Sequence, residues 1–246
     1  MGAQIYDKTV NEIMTEYFNK LTMNDVFSAQ DMIKYFEENY PKVKEGTITG
    51  HLMKFSVNAP SRIHCRNINS GKSDLLYKID ENRYRLYNKM TDPEPIYIDK
   101  PRINPPNGEQ HSNDDKNYEF AYEKDLQNFL AKNLKLIEPE LKLFEEEGIN
   151  GIEFPAGNRF IDILAIDKNN DFVVIELKVS KGYDRVVGQI LRYIGWVEQK
   201  MASDGQKVRG IIICKEISED LTLACSKQKE IELFEYELSV KLKKIK

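Results

Sequence analysis

The chain has 246 residues, of which 41% are hydrophobic and 10% aromatic, a composition that builds packed cores and excludes a disordered chain. With 36 Lys and Arg against 40 Asp and Glu the formal charge is -4, an average that argues against a strongly basic nucleic-acid coat protein. The length predicts one large domain or two modest ones. The three cysteines, Cys65, Cys214 and Cys225, contain no C-x-x-C pair, which excludes a disulfide framework and a zinc site. No basic-then-apolar leader is visible, and the longest apolar runs, such as Gly210–Cys214, are too short to cross a bilayer. The expectation is a cytoplasmic protein with no membrane partner.

In chain order, three helices come first. Val10, Ile13, Met14, Tyr17, Phe18 and Leu21 recur at helical spacing and predict a helix from Val10 to about Leu21. Ser28 is a good N-cap, with Asp31 three residues on, for a second helix with the stripe Met32, Ile33, Tyr35 and Phe36 that ends at Tyr40-Pro41. A third is expected from about Glu45 to Val57. Leu75–Ile79 and Arg83–Tyr87 then read as two strands around the turn Asp80-Glu81-Asn82. Three helices followed by a hairpin is the order of a winged helix-turn-helix, so residues 1–90 are expected to form a DNA-targeting module. The charge is unevenly spread across it. Residues 1–40 carry 3 basic and 7 acidic side chains, net -4, whereas residues 41–90 carry 10 basic and 4 acidic, net +6. Lys44, Lys54, Arg62, Arg66, Arg83 and Arg85 fall in that basic half and are the candidate DNA contacts. The plain alternative is a helical module that uses a solvated basic face to dock a protein.

Five prolines between residues 91 and 117 (Pro93, Pro95, Pro101, Pro105, Pro106), followed by a polar cluster, exclude a regular helix or central strand and predict a linker. Residues 118–246 are then the second domain. A helix is expected from about Tyr118 to Asn133, with Phe120, Leu126, Phe129 and Leu130 as its apolar face. Arg159–Asp167 and Phe172–Val179 read as a hairpin turning through Lys168–Asp171. A helix over Arg185–Val197, a strand over Lys207–Cys214, a helix near Glu219–Lys229 and a strand at Ile231–Tyr236 complete an α-β-β-β-α-β order. The expected fold class is α/β: an α+β winged N-terminal part and a C-terminal domain with a central mixed sheet.

Asp162 and Glu176 lie 14 residues apart on the two arms of the hairpin, close to opposite one another if the turn is centred near 169–170. Glu176 and Lys178 are i, i+2 and share a sheet face. Two carboxylates and an ammonium converge in apolar strands, where buried carboxylates require a cation. Mg²⁺ or Mn²⁺, hard ions bound through one or two carboxylates, would satisfy them and activate water for phosphodiester hydrolysis, with Lys178 holding that water or the transition state. Candidate metal ligands are Asp162, Glu176 and Leu177. The plain alternative is a half-exposed hairpin with a cross-strand Glu–Lys ion pair. On the next helix Gln189, Arg192, Tyr193 and Trp196 form one polar stripe at i, i+3, i+4, i+7, suited to hydrogen bonding at a scissile phosphate, or simply a solvated face.

The D-x(n)-E-x-K pattern is that of the PD-(D/E)XK restriction-like nucleases. Glu123-Lys124-Asp125-Leu126, Leu136–Pro139, R-F-I-D-I-L-A-I-D, F-V-V-I-E-L-K, V-G-Q-I-L-R-Y-I-G-W and V-R-G-I-I-I-C-K-E-I, in that order over about residues 118–238, resemble the C-terminal nuclease domain of the NucS/EndoMS endonucleases. The resemblance implies a metal-dependent DNA endonuclease domain. It carries the catalytic positions onto Asp162, Glu176 and Lys178, the accessory helix positions onto Gln189 and Tyr193, the first-helix acidic position onto Glu123, and the preceding basic position onto Arg159. Arg159, Arg185 and Arg192 are the candidate DNA contacts of this half. The family's β-rich N-terminal half is not what residues 1–90 resemble, so its specificity does not transfer. A homodimer follows by analogy from the need for two sites to cut two strands. A catalytically silent DNA-binding regulator is the other reading. The basic tail Lys241–Lys246 is expected to be a solvated terminus rather than a contact for a sliding clamp or DNA.

Overall fold

The computed structural model describes residues 6–97, 114–182, 184–237 and 243. Helix α1 (Val10–Phe18) opens on a reciprocal cap: the Thr9 hydroxyl accepts from Glu12 N at 3.2 Å and the Glu12 carboxylate accepts from Thr9 N at 2.8 Å. It stops one turn short of Leu21. There Lys20 N and Leu21 N bond Tyr17 and Phe18 carbonyls in tight turns, and Asp25 accepts from Thr22 N. A short strand β1 (Val26–Ser28), too brief for a two-residue period to show in sequence, leads into α2 (Ala29–Asn39). The expected Ser28 cap is there, the hydroxyl accepting from Asp31 N at 3.1 Å. Next come α3 (Glu45–Phe55), a 3-10 turn over Pro60–His64, and the strands β2 (Leu76–Lys78) and β3 (Arg83–Leu86). The strands order β1-β3-β2, antiparallel throughout, so β1 adds a third strand to the expected hairpin. Val10, Ile13, Met14, Phe18, Phe27, Met32, Phe36, Ile48, Leu52, Phe55 and Leu76 form this part's core.

Helix α4 (Asp114–Lys132) starts a few residues before its expected N-terminus, and Phe120, expected on its apolar face, lies outside the described side chains. The Lys241–Lys246 tail, Lys243 apart, also lies outside the described residues. Four short strands that the sequence did not announce follow: β4 (Lys142–Leu143), β5 (Glu145–Glu146), β6 (Ile149–Asn150) and β7 (Ile152–Ala156). The expected hairpin appears as β8 (Arg159–Ile166) and β9 (Phe172–Gly182). Helix α5 (Arg185–Lys200), strand β10 (Val208–Ile217), helix α6 (Glu219–Cys225) and strand β11 (Ile231–Glu235) complete the order. Helix α6 ends well before Lys229, because the polar run Ser226–Glu230 has no apolar face to bury.

The main sheet runs β11-β10-β9-β8-β4, with β7 also on β8. β8 and β9 are antiparallel, whereas β9, β10 and β11 are parallel and are therefore joined by crossovers through α5 and α6. The period-two alternation along β9 sorts the faces. Val174 packs with Ile190, Ile194 and Ile212 on the α5 side, and Ile175 and Leu177 pack with Leu126, Leu130, Ile211 and Ile213 on the α4 side. Full burial of a side chain such as Ile190 contributes about 1.5–3 kcal/mol, so α5 is fixed firmly against the sheet. All three cysteines are buried and free. Among the described residues no helix is long and apolar enough to cross a membrane.

Helix α3 corrects an expectation. It carries Lys54, a candidate DNA contact of the basic half, yet most of its residues, Lys54 included, are buried, wedged between the N-terminal core and the main sheet. Ile48, Leu52 and Phe55 face the first core, while Met53 joins Phe154, Ile149 and Met201 in the second. Gly46 and Gly50 make this approach possible: a Cβ at Gly50 would lie 3.1 Å from Ile149 Cδ1, and one at Gly46 would strike Met201. Polar bonds rim the contact. Thr47 donates to Glu146 at 2.7 Å, Lys200 reaches Glu45 at 2.7 Å, and Lys54 Nζ donates to the Glu147 carbonyl at 2.7 Å and to Asn11 Oδ1 at 2.9 Å.

Candidate active site

The β8–β9 register pairs Ile163 with Ile175, so one step further along the ladder Asp162 stands opposite Glu176, as the turn arithmetic required. Glu176 is fully buried, which rules out the half-exposed hairpin. Lys178 donates from Nζ to Glu176 Oε1 at 2.6 Å and to the Leu177 carbonyl at 2.8 Å. From α5, Gln189 Nε2 donates to the same Glu176 oxygen. Asp162 Oδ2 accepts from Leu177 N at 2.8 Å. The other Glu176 oxygen, Oε2, is buried with no hydrogen-bond partner, a costly condition for a carboxylate.

The electrostatics follow from this geometry. Burial, then repulsion from Glu176, raises the Asp162 carboxyl well above the usual carboxylate range. Burial also raises Glu176, against the opposing pull of Lys178. For Lys178 burial lowers the pKa, but Glu176 and Asp162 outweigh it and the ammonium is held charged. The Glu123 carboxylate on α4 adds negative field at Asp162, Glu176 and Lys178, and Arg192 adds positive field at Glu176. Tyr193 is buried beside Gln189, and burial raises its phenol; the Arg192 guanidinium lies 5.2 Å from its ring centroid. The structure thus gathers Asp162, Glu176, Lys178, Gln189, Tyr193 and Glu123 about one point, with Arg192 exposed at its edge. Arg159 and Arg185 are exposed at the starts of β8 and α5.

The basic candidates of the N-terminal part divide. Arg62 is fully buried, ion-paired with Asp74 at 2.5 Å and 5.8 Å from the Tyr97 ring, so it is structural rather than a nucleic-acid contact. Lys54 is withdrawn for the same reason, held by Glu147 and Asn11. Arg85 is clamped by both oxygens of Asp92 at 2.6 Å and stacks 4.6 Å from Tyr77. Lys44 is exposed; Arg66 and Arg83 are exposed and paired with Glu145 and Asp80. The sequence reading missed Gln127, a buried amide on α4 whose Nε2 donates to the Asp162 carbonyl at 2.8 Å. Its position one turn after Glu123 was the available signal.

Among the described residues no group of three or more His, Cys, Asp and Glu side chains is arranged to hold a metal ion. The donors present are two carboxylates and the Leu177 main-chain carbonyl, oxygens throughout, one of them the orphaned Glu176 Oε2. That set fits a hard divalent cation rather than zinc.

A curled mixed sheet between two helical layers, with opposed carboxylates and a lysine at its centre, places the chain in the α/β class. The family described as Endonuclease NucS C-terminal domain matches residues 122–244, half of the chain, and the chain belongs to that family. Residues 9–86 match a separate family, Domain of unknown function (DUF7669). Among curated relatives, the protein named Endonuclease NucS is 33% identical over 91 residues in Methanocaldococcus jannaschii (37% of this chain, 32% of that protein). In Sulfolobus acidocaldarius it is 32% identical over 120 residues (49% and 43%), and in Pyrococcus abyssi 29% over 99 residues (39% and 35%). The chain therefore spans well under half the length of these relatives. Solved structures similar to it include a repair endonuclease from Pyrococcus abyssi (TM-score 0.39, 24% identity, 53% of this chain and 50% of that one). An EndoMS–dsDNA complex is also similar (TM-score 0.38, 18%, 66% and 60%).

Proposed function

We propose that the chain is a Mg²⁺- or Mn²⁺-dependent DNA endonuclease with a PD-(D/E)XK-type site, of the restriction, defence or repair kind. The observation that carries the reading is Asp162 opposed to a buried Glu176 that binds Lys178 and Gln189 through one oxygen and leaves the other free. Asp162, Glu176 Oε2 and the Leu177 carbonyl would hold the cation, which supplies charge neutralisation at the phosphate and lowers the pKa of a water. The protein's own groups do the rest. Lys178, its ammonium held charged by Glu176 and Asp162, stabilises negative charge growing on the attacked phosphate. Gln189 fixes the Glu176 rotamer from the rigid α5, and Leu177 N orients Asp162. Arg192, exposed at the edge of the site, and Arg159 and Arg185, exposed at the starts of β8 and α5, serve the DNA backbone in this reading.

Residues 9–86 act in this reading as a docked accessory module rather than a groove reader, since α3 is covered; Lys44, Arg66 and Arg83 remain as backbone contacts. A homodimer in the cytoplasm would supply two sites for two strands. Asp162→Ala and Glu176→Ala are expected to lower cleavage by at least about 100-fold while leaving DNA affinity in mobility-shift assays unchanged. Undiminished cleavage by the double variant, purified free of host nucleases, would refute the assignment.

A further inference from the structure

We infer that Glu153 is a positioning residue of this site: it ties the N-terminal part of the chain to α4 and so fixes where Glu123 stands beside Asp162 and Glu176. The inference rests on the nuclease reading of the same site. Glu153 lies in the middle of β7, where the ladder pairs Ile152 with Ile163 and Phe154 with Ile161; the residue opposite it is Asp162. At this point the strand departs from extended geometry. Glu153 has φ +47, the left-handed region, which costs a side-chain-bearing residue about 1–2 kcal/mol. Such strain persists where surrounding contacts over-determine it, and it gathers beside functional groups.

The contacts that impose it come from two other segments. Glu153 Oε2 accepts from Ser61 Oγ at 2.8 Å and lies 3.7 Å from His64 Nε2, both on the 3-10 turn Pro60–His64 of the N-terminal part. Glu153 Oε1 lies 3.4 Å from Lys124 Nζ on α4, the residue next to Glu123. A single half-buried carboxylate thus joins the accessory module, the strand alongside Asp162 and the helix that delivers a third carboxylate to the centre. Its ion pair with Lys124 and the Gln127 bond to the Asp162 carbonyl lie one turn apart on α4 and together fix that helix over the sheet. Without the Glu153 charge, Lys124 loses this ion pair, and the register of α4 on β8 rests more heavily on Gln127 and on the packing of Leu126 and Leu130.

Two measurements on the full chain test this, with Glu153→Gln, Lys124→Met and the pair combined. The first needs no activity. In DNA-free Glu153→Gln, hydrogen exchange of amides 123–132 is expected to quicken by about 10-fold, with α5 unchanged; unchanged α4 protection overturns the inference. The second is steady-state cleavage of 5′-labelled duplex, mismatched and single-stranded oligonucleotides with Mn²⁺. A shift of the helix by about 1 Å predicts a 10- to 100-fold lower kcat with KM nearly unchanged, and the double variant no worse than either single one. A folded Glu153→Gln with wild-type kcat, or a loss in KM alone, overturns it. If Glu153→Gln does not fold, Ser61→Ala and Lys124→Met carry the same two readouts. Absence of cleavage by the wild-type protein would defeat the nuclease reading instead, and the exchange experiment would still decide whether Glu153 holds α4.

Discussion

At the residue scale the two oxygens of Glu176 set the terms. One is saturated by Lys178 and Gln189; the other is buried without a partner, next to an aspartate that shares its charge. Satisfying that oxygen with a cation should release the stored electrostatic cost and stabilise the fold. Mn²⁺ at about 100 times its Kd is expected to add about 2.7 kcal/mol to unfolding stability, by simple mass action. Glu176→Gln should abolish that increment, so calorimetry with and without the ion separates ligation from catalysis. A Tm insensitive to Mn²⁺ and Mg²⁺ in the wild-type protein would contradict the ligand assignment. These residues were legible because E-x-K spacing and a countable hairpin turn fix their faces. Gln127 and Glu153 were not read: the first acts on a backbone atom 35 residues away, and the second owes its position to a left-handed kink with no composition signal.

At the element scale α3 shows why local pattern is not destination. Its helicity was evident, but Lys54 looked like a groove contact because its partner, the Glu147 carbonyl, is 93 residues distant. The β5–β6 turn that presents Glu147 is itself held in the left-handed region, at φ +44 for Glu147 and φ +84 for Gly148. The Glu147 carboxylate caps α1, accepting from Val10 N and Asn11 N at 2.9 Å each, and lies 3.3 Å from His51 Nε2. Burial raises its pKa, but the facing His51 ring and the backbone hydrogen bonds from Asn11 and Val10 outweigh burial and bring it from 4.5 down to about 2. Because the folded-state pKa is depressed, this contribution is fully present above the unfolded value of 4.5 and is lost as pH falls towards 2. Denaturant unfolding between pH 6 and pH 2.5 should therefore show a steeper loss of stability in the wild type than in Glu147→Gln, which is weaker at pH 6 and flatter below. Parallel curves would remove Glu147 as the clamp between α1 and the β5–β6 turn.

At the scale of the whole molecule, the Pro-rich segment after residue 90 marks a change of composition, yet the packing crosses it. Met53, Ala59, Cys65 and Ile68 from the N-terminal part are buried in one cluster with Phe154, Ile161, Val187 and Ile212. A shared core of this kind predicts one cooperative calorimetric transition, with calorimetric and van't Hoff enthalpies equal; two resolved transitions would refute the coupling. The order of helices and hairpin, and the α/β class of the second half, followed from periodicity and turn chemistry. The docking of the two parts did not, since it depends on glycines and single polar atoms that periodicity does not register. The proposed function, metal-dependent cleavage of DNA, rests on the carboxylate pair Asp162 and Glu176. Its most direct test is the incubation of 5′-labelled single-stranded, duplex, mismatched, flapped and methylated oligonucleotides with wild-type protein in Mg²⁺, in Mn²⁺ and in EDTA, beside the Asp162→Ala/Glu176→Ala double variant. Internal cleavage of at least one DNA with either ion, lost in EDTA and in the variant, is the predicted result; cleavage that survives EDTA, or none with any DNA, would contradict it.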